Sequence, residues 1–123
     1  MKYSLDKCEN YTVFSLEEDN LNSLISPSFK SEFVSFRNEG VKNQVFDFAK
    51  VKYLDSSGLS AILTANRVWK GYGSFVLCQI NAPITMRLIK ISKIESILSI
   101  CDTLEEAIDL VLAEESERQY IMD

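Results

Sequence analysis

The chain has 123 residues, about one domain's worth, and its 46 % apolar and 25 % charged residues are the balance of an ordinary globule with a single core. Its net charge is −5 and its basic residues are scattered, while acidic ones gather at Glu17, Glu18 and Asp19 and again at Glu114 and Glu115; nucleic acid is disfavoured as a partner, and an anionic lipid surface gains little. No run of apolar residues approaches the roughly 20 needed to cross a bilayer, so no direct membrane insertion is expected, and the complete lack of histidine removes His-based triads and the usual zinc ligand.

In chain order, Tyr3–Leu5 and Tyr11–Leu16 alternate and are rich in β-formers, with polar Glu9 and Asn10 between them, which predicts an antiparallel hairpin. Ser26 and Pro27 read as the start of a helix, serine as cap and proline at the first helical position, and Phe29, Phe33 and Phe36 follow at helical spacing until Gly40. Val45–Ala49 reads as a buried strand. A helix is predicted from about Ser57 to Lys70, ending at Gly71-Tyr72-Gly73, and Ser74–Ile80 as another strand. Ala82-Pro83 opens a third helix carrying Ile84, Leu88 and Ile91; Ile97–Ile100 is a short edge strand. Asp102-Thr103 caps a last helix with Leu104, Ala107, Ile108 and Val111 on one stripe.

The order β-β-α-β-α-β-α-β-α predicts an α/β fold: a small mixed sheet, with an antiparallel N-terminal hairpin and then parallel βα units, covered by about four helices. The expected domain spans residues 1–115, and residues 116–123 are expected to be a polar, frayed C-terminal tail. Cys8, Cys78 and Cys101 are far apart, without C-x-x-C spacing, and read as free thiols, Cys78 within the core run Phe75–Cys78. Met1–Asp6 lacks the apolar core of a secretory signal, so the cytoplasm is the expected compartment.

The most informative stretch is Tyr53-Leu54-Asp55-Ser56-Ser57-Gly58-Leu59. It places two hydroxyls beside a carboxylate at the start of a helix, where backbone N–H groups lack partners and the helix dipole is positive. Such a place suits a hydroxyl that carries phosphate, and equally a plain helix cap with Gly58 allowing close packing and Leu59 entering the core.

Leu54-Asp55-Ser56-Ser57-Gly58-Leu59 at this junction resembles the STAS family of anti-sigma factor antagonists. Pro83, Arg87, Leu88 and Ser92 repeat that family's P-x-x-x-R-L-x-x-x-S pattern in register, and the resemblance runs from Tyr3 to about Leu112. It implies a STAS-like fold and a protein-binding switch, not an enzyme, with no cofactor. Ser56, directly after the aspartate, would be phosphorylated by an anti-sigma factor that is also a serine kinase, and a PP2C-type phosphatase would reset it. The implied partner-binding residues are Asp55, Ser56, Ser57, Gly58 and Leu59, with Asn22 from the neighbouring loop. The chain departs from the family pattern at Asn22, where relatives carry aspartate after L-x-G-x-L, and at Ser60, where many have a second glycine.

Other readings are weaker. Trp69 and Phe75 read as core or rim aromatics, Arg87 as a solvated helix residue, and Glu17, Glu18 and Asp19 as solvated loop acids with no metal. No phosphate-cradling loop is present. The alternative function is a STAS subunit that binds a transporter's ATPase or another assembly partner without phosphorylation.

Overall fold

The computed structural model describes residues 1–122. The elements are β1 (Tyr3–Lys7), β2 (Thr12–Leu16), β3 (Asn20–Leu21), α1 (Ser26–Asn38), β4 (Gln44–Asp47), β5 (Tyr53–Leu54), α2 (Ser56–Trp69), β6 (Phe75–Cys78), α3 (Pro83–Ile91), β7 (Ser99–Cys101) and α4 (Leu104–Met122). The main sheet has the order β1-β2-β4-β6-β7. The β1–β2 pair is antiparallel, with Tyr3 opposite Leu16, and the remaining pairs are parallel. The expected mixed sheet with its antiparallel hairpin and four helices is the observed architecture.

Strand alternation divides the core in two. Phe14 and Phe46 lie in one row across β2 and β4 and meet Phe29, Phe33 and Phe36 of α1, with ring centroids 4.9 Å apart for Phe14 and Phe33 and 5.2 Å for Phe29 and Phe46. Trp69, at the end of α2, closes this layer against Phe33 and Phe75. On the opposite face Val13, Val45, Val76 and Cys78 pack with Ala107 and Val111 of α4. Burial pushes the Cys78 thiol up to about 12, with the neighbouring Asp47 carboxylate adding to the shift. All three cysteines are free.

Four local expectations are corrected. Ser26 does not cap α1: the cap position is Ile25, and Ser26 is already helical. A turn at Asn22–Ile25 winds directly into the helix, and its backbone supplies the acceptor, the Asn22 carbonyl, for the N–H groups of Ile25 and Ser26. Of the stripe on α3, Ile84 and Ile91 face solvent and Leu88 alone meets the core, because Thr85 and Ile89 occupy the buried side.

The third correction concerns β3 and β5, which pair in a separate two-stranded parallel ribbon (Asn20 opposite Tyr53, Leu21 opposite Leu54). Two residues per strand leave no periodicity to read. Finally, the tail after Glu115 is not frayed, since α4 runs to Met122. Glu115 is buried and accepts from Arg118 Nη2 at 2.7 Å and from Asn43 Nδ2 at 3.2 Å. Arg118 also donates to Ser74 Oγ at 3.1 Å, and that hydroxyl donates to Glu114 at 2.7 Å. This polar clasp ties the second half of α4 to the starts of β4 and β6. Asp123 lies outside the described residues.

Candidate functional site

The chain leaves β4 at Asp47, whose carboxylate takes the Ala49 N–H at 2.9 Å, and turns back towards β3. The Asp19 carbonyl accepts the N–H groups of Lys52 and Tyr53, which brings β5 beside β3. Two residues later the backbone breaks into α2. Asp55 is the N-cap, with extended dihedrals, and its Oδ1 accepts the Gly58 N–H and the Ser57 hydroxyl, each at 2.9 Å. The Gly58 N–H is the main reason its carboxyl lies below the usual range; the Ser57 hydroxyl and the Ser57 and Ser23 N–H groups act in the same direction. Asp55 therefore stays ionised at neutral pH.

Ser56 is the first residue of α2, not its cap. Its side chain is exposed, and its hydroxyl has no hydrogen-bond partner among the described residues. The capping bond is made by the Asp55 carboxylate, which leaves the Ser56 oxygen free at the positive end of the helix dipole.

Ser57, one residue on, is half-buried and engaged. Its proton goes to Asp55, while Ser26 Oγ, 3.4 Å from it, gives its own proton to the Asn22 carbonyl at 2.7 Å. With both protons spent elsewhere, the Ser26–Ser57 contact joins two acceptors and is no firm bond. It marks where the N-termini of α1 and α2 lie side by side. The part of Ser26 is not visible in the sequence, where a serine before proline reads as a cap.

Asn22 shapes the adjoining turn. Its Oδ1 accepts the Leu24 N–H at 3.0 Å, a side-chain turn that asparagine and aspartate both make, so the departure from aspartate keeps the backbone geometry and removes a charge. Gly58 and Leu59 face inward. A Cβ on Gly58 would collide with the Leu21 carbonyl and the Leu54 side chain, so these two residues shape the surface from beneath. Ser60 is exposed.

The remaining candidates make no hydrogen bond to Asp55, Ser56 or Ser57, although Glu17, Glu18 and Asp19 line one hollow with Asn22 and Leu24. Lys50 pairs with Glu17 at 3.3 Å, Lys52 lies 3.9 Å from Asp19, and Glu18 accepts the Lys2 N–H at 2.8 Å. Arg87 is exposed and forms no ion pair among the described residues. Trp69 and Phe75 are buried in the aromatic core. Among the described residues no helix is long and apolar enough to cross a membrane, and no group of three acidic or cysteine side chains could hold a metal ion.

The fold and this junction define a small α/β domain that presents an ionised carboxylate and a free hydroxyl at the mouth of one helix. The model of the STAS domain matches residues 3–107, and the chain belongs to that family. No curated protein sequence matches it. Among solved structures, an anti-sigma factor antagonist from Mycobacterium paratuberculosis superposes with a TM-score of 0.80 at 17 % identity, over 89 % of this chain and 92 % of that one. The anti-sigma factor antagonist SpoIIAA in its unphosphorylated form gives 0.74 at 20 % identity, over 91 % and 97 %. The phosphorylated form of SpoIIAA, from Bacillus, gives 0.66 at 21 % identity, over 89 % and 99 %.

Proposed function

We propose that this chain is a cytoplasmic anti-sigma factor antagonist whose binding state is set by phosphorylation of Ser56. Unmodified, it sequesters an anti-sigma factor that is also a serine kinase; the kinase transfers the γ-phosphoryl group of ATP to Ser56 Oγ and the complex separates. A PP2C-type phosphatase returns the hydroxyl. The chain is the substrate and switch of this cycle and catalyses none of it. The observation that carries the reading is the exposed, unbonded hydroxyl of Ser56 beside the capping Asp55. A STAS-fold neighbour, SpoIIAA, known in both unphosphorylated and phosphorylated forms, supports it.

The physics favours a block at an interface over a refolding. Phosphate adds roughly −1.5 to −2 charges at pH 7. The dipole of α2 welcomes that charge by about 0.3–1 kcal/mol at an exposed site, and ionised Asp55 opposes it, so the free domain changes little. Covering an unpaired dianion with another protein costs several kcal/mol. A penalty of about 4 kcal/mol weakens binding roughly a thousandfold.

The test is binding of Ser56→Ala and Ser56→Asp to the purified cognate anti-sigma kinase by calorimetry. The alanine variant is expected to bind like the wild type and the aspartate variant more weakly. Equal affinities would count against the switch, and recovery of a transporter ATPase as the stable partner would favour an unphosphorylated assembly role.

A further inference from the structure

Three large apolar side chains stand in solvent around Ser56. Leu24 is 86 % exposed, Tyr53 57 % and Ile84 62 %. None is on a loose segment. Leu24 sits on the turn pinned by Asn22, Tyr53 is in the β3–β5 ribbon, and Ile84 begins α3, where the neighbouring Thr85 hydroxyl donates to the Lys52 carbonyl at 3.3 Å.

Their placement follows from contacts with residues next to Ser56. Tyr53 is three residues away, about 10 Å at most at full extension. Leu24 lies two residues before Ser26, whose oxygen is 3.4 Å from that of Ser57. Ile84 is tied through Thr85 to Lys52, four residues before Ser56. A standard interface covers about 800 Å² of each partner, a disc of roughly 16 Å radius. The parallel pairing of β4 with β6 sets the starts of α2 and α3 at one edge of the sheet, beside the β3–β5 ribbon, so a partner covering that edge is placed to meet Ser56 and these side chains together.

The geometry points to Leu24, Tyr53 and Ile84 as the anchors that hold the partner reading Ser56, and to an apolar receiving surface on that partner. This rests on Ser56 being the switch and adds a division of labour. The three apolar groups supply affinity, while Gly58 and Leu59, being buried, shape the surface from beneath. The anchors also exclude water around the hydroxyl, and in such surroundings a phosphate is most costly to cover.

The experiment measures binding of the purified cognate anti-sigma kinase to the full chain carrying Leu24→Ala, Tyr53→Ala, Ile84→Ala or all three, with Tyr120→Ala and Ile121→Ala as exposed controls far along α4. Single anchor changes are expected to weaken binding about tenfold and the triple change to abolish it, with the controls unchanged. Because all three side chains are exposed, the variants should melt like the wild type, and melting curves verify this. If the wild type binds and Ser56→Asp releases it, yet the triple variant binds normally, the anchors are refuted and the switch survives. If the wild type does not bind the kinase, both fall. A dimer of the wild type by sedimentation that the triple variant dissolves would assign the face to a second copy and overturn the proposal.

Discussion

Gly58 lies so close beneath the carbonyl of Leu21 that a single added methyl group has nowhere to go. This contact seats the first turn of α2, which carries Ser56, directly on the β3–β5 ribbon. Gly58→Ala should force the ribbon and helix apart and cost about 1–3 kcal/mol, read as a lower urea midpoint. It should also impair phosphorylation of Ser56, although residue 58 is itself buried.

Asp55 caps α2 through Gly58 N–H at 2.9 Å. Asp55→Ala should destabilise the protein by about 0.5–2 kcal/mol, whereas Asp55→Ser, which keeps an acceptor, should recover most of the loss. The folded-state pKa is lowered, so this carboxylate's stabilisation is present above its unfolded value and lost as pH falls through the folded one. Acid titration of stability in wild type and Asp55→Ser checks it: the wild type alone should lose this contribution.

A second acid-sensitive contribution comes from Glu115. Burial raises its pKa, but hydrogen bonds from Arg118, Asn43, Lys42 and Gln119 outweigh that and bring it down to about 2. The clasp therefore contributes fully above the ordinary carboxylate value of 4.5 and is lost as pH falls towards 2. Arg118→Ala strands the buried Glu115 carboxylate with Lys42 as its remaining cation and should cost about 1–3 kcal/mol at neutral pH. Removing residues 116–123 should destabilise the domain at least as much, which denaturant titration would show; an unchanged midpoint would mean that the clasp is inert.

The thiols should separate by reactivity. Cys8 is exposed, whereas Cys78 is buried with its pKa near 12. At neutral pH a thiol reagent should modify Cys8 readily and reach Cys78 only on unfolding, as mass spectrometry of partially labelled protein can establish. Early labelling of Cys78 would contradict the packing of β6 against α4.

The sequence made the frame of this fold readable because its strands are short apolar runs and its helices begin at proline or capping residues. The phenylalanines of α1 carry a strong helical period, and they do form the core. What was missed depends on contacts distant in the chain. The β3–β5 ribbon is too short to leave a pattern, and the order of the last turns of α4 comes from Asn43 and Ser74, which no local rule associates with Arg118. At the site, hydroxyls and a carboxylate at a helix mouth were legible, but which of them caps was not. Asp55 and Ser56 could each have capped α2, and because Asp55 does so the Ser56 oxygen is left free. Leu24 and Tyr53 were invisible as surface features because exposure of a lone apolar residue has no sequence signature.

The most direct measurement is the intact mass of the full chain after incubation with the cognate anti-sigma kinase and ATP, followed by fragmentation to locate the modification. A single phosphate on Ser56, absent in Ser56→Ala, is the expected result. No added mass while the kinase labels a control substrate, or a phosphate on the engaged hydroxyl of Ser57 instead, would contradict Ser56 as the switch.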